Sequence, residues 1–164
     1  MTIPETANLL AGFVLAHAAW SISDLPEGEL LVPLAIVETE AGRKVTRFEA
    51  ETQEEAIEAG KAFVSEQQST ASTWALAREG QINTSTGKID VLVVEAWGEG
   101  MNEPITYIQP FQPFSTGTFK ILGPATPVVS GSILSQKQSE ILLDALYRGV
   151  STHDAVASLW ASWQ

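Results

Sequence analysis

Apolar residues recur at helical spacing near the start of the chain. Thr2 and Glu5 have the spacing of a capping box, and Pro4 suits a first helical turn. One broad face of this segment is apolar and consists of Leu9, Leu10, Phe13, Val14, His17 and Trp20. The pattern predicts an amphipathic core helix.

Three later segments have the same helical spacing. Thr52-Gln53-Glu54-Glu55 begins with a capping box, and its acidic residues complement the helix dipole. Ser135 and Gln138 form the same signature before the next segment, and Gly149 is the predicted stop of that helix. A last helix is predicted after it, with an apolar face made of Val156, Leu159, Trp160 and Trp163.

Between the helices, segments rich in β-branched and aromatic residues predict three hairpins. Pro33 indicates a bulge or an edge in the first of them. Residues 81–87 are predicted to be a polar loop, and the prolines and glycines of residues 123–131 predict another. The predicted strand pairs are Glu29–Glu40 with Lys44–Ala50, Ser72–Gly80 with Lys88–Trp97, and Ile105–Gln109 with Thr118–Leu122.

Two of these strands are apolar in both alternating sets of side chains. In Lys88–Trp97 the two sets are Ile89, Val91, Val93 and Trp97 against Leu92, Val94 and Ala96. Such a strand is buried on both sides, so helices or a second subunit must cover both sides of part of the sheet. The order α-ββ-α-ββββ-αα predicts a single α+β domain over residues 1–164, with an antiparallel sheet of about six strands.

The segment YIQPFQPF, residues 107–114, places prolines at the end of a predicted strand. Pro110 and Pro113 have no backbone donor, so we expect ordinary pairing to stop on one side. A polyproline II arm would put Phe111 and Phe114 on one stripe and pin them onto the domain. The alternatives are an aromatic contact for a partner or second subunit, and a ligand for a domain that binds proline-rich peptides.

Charge limits the partners that the chain can bind. Of its 164 residues, 20 are acidic and 9 are Lys or Arg, giving a formal net charge of −11. Phosphate-rich surfaces require clustered basic residues, so nucleic acid and anionic membranes are disfavoured as partners. A protein partner with a basic surface is compatible with this charge.

Cysteine is absent from the chain. This excludes disulfides, thiolate nucleophiles and sites ligated by cysteine, and it is typical of a cytoplasmic protein. The apolar stretch Leu9–Trp20 has no preceding Lys or Arg, so it does not match an export signal.

Candidate chemistry is sparse. His17 lies on the apolar face of the first helix, where a hydrogen-bonded core imidazole is expected, and His153 is predicted in a first helical turn. Ser151 and Asp154 lie too close to His153 along the chain to form a nucleophile, base and orienting acid. We therefore assign no catalytic residue, no metal ligand and no cofactor; the acidic group with the best placement is Glu95, Glu99 and Glu103.

Three classes of function are compatible with these features. The first is a non-enzymatic adaptor or immunity-type inhibitor that binds a protein partner. The second is a small-ligand binder or enzyme with a cleft near Glu95–Glu103, and the third is a structural homo-oligomer whose tryptophan-rich end and doubly apolar strands are buried between subunits. Trp160 and Trp163 could instead pack in the core of their own chain. The first class is favoured, and the predicted binding residues are Trp97, Glu99, Tyr107, Phe111 and Phe114.

Overall fold

A computed structural model describes residues 3–164 as three α-helices and one antiparallel sheet. The helices are α1 (Glu5–Ile22), α2 (Gln53–Gln67) and α3 (Gln136–Val150). The strands are β1 (Leu34–Thr39), β2 (Gly42–Arg47), β3 (Thr73–Thr84), β4 (Gly87–Gly98), β5 (Ile105–Gln112), β6 (Lys120–Ile121), β7 (Thr126–Val129) and β8 (Ser132–Ile133). Their order is β2-β1-β3-β4-β5-β7-β8, with β6 beside β5. The predicted α+β class and antiparallel sheet are confirmed, with eight strands instead of about six.

Helix starts follow the predicted caps. The Thr52 hydroxyl accepts from the Glu55 N–H, and Ser135 and Gln138 complete a capping box at α3. Pro4 is the N-cap of α1, and the predicted cap Thr2 lies outside the described residues. No helix within residues 3–164 is both long and apolar enough to cross a membrane.

The proline-containing segment at residues 107–114 differs from its prediction. β5 continues through Pro110 to Gln112, so the polyproline II interpretation is wrong. The Pro110 carbonyl accepts from the Leu122 N–H, and backbone groups of one strand residue point to one side. The missing N–H therefore lies on the side of Leu122, at the break between the β7 pairing, which ends at Ile108, and the β6 pairing, which starts at Phe111.

Other boundaries also differ from the predictions. β3 and β4 extend through the polar stretch that was predicted to be a loop, and pair as far as Thr84 and Gly87. Residues 123–131, predicted to be a loop, contain β7. Pro127 is tolerated in this strand because β8 pairs only with Val128 and Val129 on the outer side of β7. The predicted last helix is replaced by turns and the short 3₁₀ helix Trp160–Trp163, which packs Trp160 against Tyr147.

The helices α1 and α3 approach each other closely. A Cβ atom added to Gly12 would lie 1.9 Å from the Leu146 carbonyl oxygen, and one added to Gly149 would lie 2.2 Å from the Leu9 carbonyl oxygen. The prediction that Gly149 ends the helix is wrong, because α3 continues to Val150. Gly149 instead lies against the backbone of α1 at Leu9. The two helices lie on one face of the sheet, where the Tyr107 hydroxyl donates to Asn8 and the Tyr147 hydroxyl donates to Gln109 at 2.9 Å.

We expect Gly12→Ala and Gly149→Ala each to lower the free energy of unfolding by roughly 3 kcal/mol, because the backbones cannot separate without losing core contacts. A helix is normally more stable with alanine than with glycine, by about 1 kcal/mol. A loss of stability on Gly→Ala substitution would therefore come from the close contact between α1 and α3. Gly80→Ala is the control, since its Cβ would meet nothing closer than 3.7 Å. Equal chemical-denaturation midpoints for all three variants would contradict the close crossing.

Candidate interaction surface

The two faces of the sheet are covered unequally. α1 and α3 lie on one face, and α2 lies on the opposite face, where it packs against β1 and β3. A Cβ atom on Gly60 of α2 would lie 2.9 Å from Leu76 Cδ1, which shows how closely that helix approaches β3. Register places Ala35, Val37, Trp74 and Leu76 on this second face beneath α2.

Beyond α2, the second face continues across β4, β5, β7 and β8. Strand register brings one alternating set of side chains from these strands to the same side. Ile108 and Val128 are half-buried and Ile133 is 75% exposed, whereas Val91 and Val93 are buried. We call this surface the open face and define it as Arg78, Val91, Val93, Glu95, Thr106, Ile108, Thr126, Val128 and Ile133.

One ion pair lies within this mainly apolar surface. Arg78 Nε is 4.0 Å from Glu95 Oε1, and the two side chains are 28% and 22% exposed. The Arg78 guanidinium lies beside Val91 and Val93, because a Cβ on Gly80 would be 3.7 to 3.9 Å from all three side chains. Arg78 Nε is buried and has no hydrogen-bond partner among residues 3–164. The open face therefore combines apolar side chains with one incompletely paired cation.

A depression of about 450 Å³ lies at the β7–β8 end of the open face. Glu95 and Glu103 contribute carboxylates to it, and Thr106, Ile108 and Val128 contribute to its lining. The Ser130 hydroxyl, in the turn between β7 and β8, donates to Glu103. Ser130 has a φ of 54° and Gly131 a φ of 73°, as a two-residue hairpin turn of this kind requires, and the turn lies at the rim of the depression.

The predicted binding residues are not brought together. Trp97, Tyr107 and Phe111 are buried, with Trp97 Nε1 donating to the Met101 carbonyl at 2.8 Å. Burial raises the pKa of the Tyr107 hydroxyl well above its usual value. Glu99 is exposed in the turn after β4, and Phe114 is 44% exposed beyond the end of β5. Only Glu99 and Phe114 of this set are accessible to a partner.

The acidic residues Glu95, Glu99 and Glu103 are only partly gathered. Glu95 and Glu103 line the same depression, whereas Glu99 lies outside its lining. Within residues 3–164, no group of three or more histidine or acidic side chains is arranged to hold a metal ion.

The two histidines, 136 positions apart in sequence, are in contact. His17 Nδ1 is 3.1 Å from His153 Nε2, and Phe13 and Trp20 pack around them with ring centroids 4.9 and 5.8 Å from that of His153. Burial lowers the pKa of both imidazoles, and the charges of His153 and Arg47 lower that of His17 further. The contact ties the C-terminal segment to α1, and no sequence pattern indicated it.

No protein-family model, curated protein or solved structure matches this chain.

The histidine contact predicts that stability falls on acidification. Both histidines have folded-state pKa values below the ordinary 6.5, so below that pH the unfolded chain binds more protons and stability is lost as pH falls. Burial raises the pKa of Glu79, which works in the opposite direction at acidic pH, so the histidine contribution is measured as a difference between variants. His17→Gln removes one titrating group while keeping a polar side chain. We expect denaturation midpoints to fall less between pH 7.5 and 5.5 in this variant than in the unmodified chain; parallel pH profiles would contradict the prediction.

Proposed function

We propose that this chain is a non-enzymatic protein-binding module, an adaptor or an immunity-type inhibitor, that binds its partner through the open face. The observation that carries the proposal is that no helix of residues 3–164 packs on the open face, where Ile108 and Val128 are half-buried and Ile133 is exposed. A partner would supply the missing layer, as a second sheet or helix does inside a domain. We infer a cytoplasmic setting for this contact from the absence of cysteine.

Charge supports a basic partner. The chain carries a net charge of −11, and Glu95 and Glu103 lie at the β7–β8 end of the open face. Lys or Arg on the partner would meet these carboxylates while its apolar side chains cover Ile108 and Val128. Such rim charges raise the association rate and make binding sensitive to salt.

Self-association is a second candidate, because two open faces could cover each other at the usual spacing of about 10 Å between packed sheets. The high net negative charge of each copy opposes this arrangement. Light scattering separates the two possibilities, since a strict monomer at high concentration excludes the homo-oligomer.

We expect Ile108→Lys and Val128→Lys to weaken partner binding at least about tenfold, because a buried apolar contact is replaced by a cation facing a basic partner. Val45→Lys is the matched control, since Val45 is 49% exposed on the edge strand β2, away from the open face. The partner is first captured from extracts of the native host and identified, and affinity is then measured with both purified proteins. Unchanged thermal midpoints would show that the variants remain folded.

Two results would contradict this proposal. The first is that no stoichiometric partner is retained at low salt under gentle conditions. The second is that the open-face variants bind the purified partner as tightly as the Val45→Lys control does.

A further inference from the structure

A second concave site lies on the opposite face of the sheet, at the end of α1. It has a volume of about 400 Å³ and lies between the end of α1, the segment before β1 and strand β2. We call it the α1-end pocket. Its apolar lining consists of Trp20, Leu25, Leu30, Leu31, Val32 and Leu34.

Large apolar side chains remain exposed at this pocket. Trp20 is 45% exposed, Leu30 51% and Val32 38%. Isolated exposed apolar residues are ordinary on protein surfaces, but three that line one cavity are not. The volume lies within the range of about 300 to 1,000 Å³ that is usual for sites binding small molecules.

Arg47 gives the pocket its cationic group. Within residues 3–164 it makes no ion pair, whereas Arg43 on the same strand is 3.1 Å from Glu38 and lies over the Phe13 ring. The hydroxyls of Ser21 and Ser23 donate to the carbonyls of His17 and Trp20, so they offer only lone pairs to a ligand. The Arg47 guanidinium is therefore the charged donor available to an anionic ligand.

The wall of the pocket is held in place without a ligand. The Leu31 N–H donates to Glu79 Oε1 at 3.0 Å, and its carbonyl accepts from Gln53 Nε2 at 3.0 Å. Leu31 is buried, and both polar groups of its backbone are satisfied. Because this wall is already ordered, a ligand would bind without the entropic cost of ordering it.

We propose that the α1-end pocket binds a small monocarboxylate with an apolar body, its carboxylate on Arg47 and its body against Trp20 and Leu30. Asp24, which also lines the pocket, disfavours ligands with a second negative charge. The same chemistry is presented by a free acid and by the C-terminal residue of a peptide. The size of the pocket suits a phenyl group or a branched alkyl group.

The test titrates the full chain with 4-phenylbutyrate and, in parallel, with 4-phenylbutyramide, which keeps the apolar body and removes the charge. Binding is followed by NMR through the Trp20 indole N–H, assigned with Trp20→Phe. We expect saturable binding of the acid with a Kd on the order of 1 mM, and binding of the amide about fivefold to tenfold weaker. Arg47→Gln is expected to reduce acid affinity to that of the amide and to leave amide binding unchanged.

Lys44→Gln is the matched control, because it removes a cation from the same strand on the other sheet face and is expected to leave acid binding unchanged. Leu30→Ala is expected to weaken acid and amide alike. Gly-Gly-Phe with a free or an amidated C-terminus tests whether the natural ligand is a free acid or the C-terminus of a peptide. Tighter binding of the free tripeptide than of 4-phenylbutyrate indicates a peptide C-terminus. Weaker binding of the free tripeptide indicates a free acid.

The proposal is overturned if neither acid nor free tripeptide gives saturable shifts, if acid and amide bind equally, or if Arg47→Gln and Lys44→Gln have the same effect. The Ile108→Lys variant is expected to bind 4-phenylbutyrate normally. This separates the α1-end pocket from the open face, since either site can fail its own test without affecting the other.

Discussion

The contact between α1 and α3 determines how the whole sheet is covered. Gly12 and Gly149 let the two backbones approach, which places two of the three described helices on the same face. Only α2 then remains for the other face. A helix is about 10 Å wide and strands are about 4.8 Å apart, so one helix covers about two strands. α2 covers β1 and β3, and β4, β5, β7 and β8 extend beyond it.

This unequal cover connects the core to the proposed function. On the face of α1 and α3, buried tyrosine hydroxyls form hydrogen bonds to residues of distant elements. Tyr107 donates to Asn8, and Tyr147 donates to Gln109. On the open face, the apolar side chains surround an ion pair in which Arg78 Nε lacks a hydrogen-bond partner within the described part of the chain. The first face is covered by α1 over β3 and β4, and its exposed apolar side chains include those at the α1-end pocket. On the second face, Ile108 and Val128 are half-buried and Ile133 is exposed.

The sequence predicted the parts of the fold that depend on local chemistry. The caps at Thr52 and Ser135 and the doubly apolar β4 are local signals, and β4 also indicated that both faces need cover. Pro110 suggested that the strand ends, but its missing N–H lies where the neighbour of β5 changes from β7 to β6, and strand order is not a local property. Trp97 and Tyr107 resembled binding residues, but Met101 and Asn8 satisfy their polar atoms inside the core. The contact between His17 and His153 depends on tertiary packing, so no spacing in the sequence indicated it.

The accessibility of the open face can be measured directly, because the chain contains no cysteine. Ile108→Cys and Val94→Cys place single thiols on neighbouring strands and opposite faces of the sheet, and Val94 is fully buried. In the dilute isolated protein, we predict rapid labelling at position 108 and strong protection at position 94, with position 108 becoming protected when the partner is added. Equal protection of both thiols in the isolated chain would contradict the account, since the open face would then already be covered.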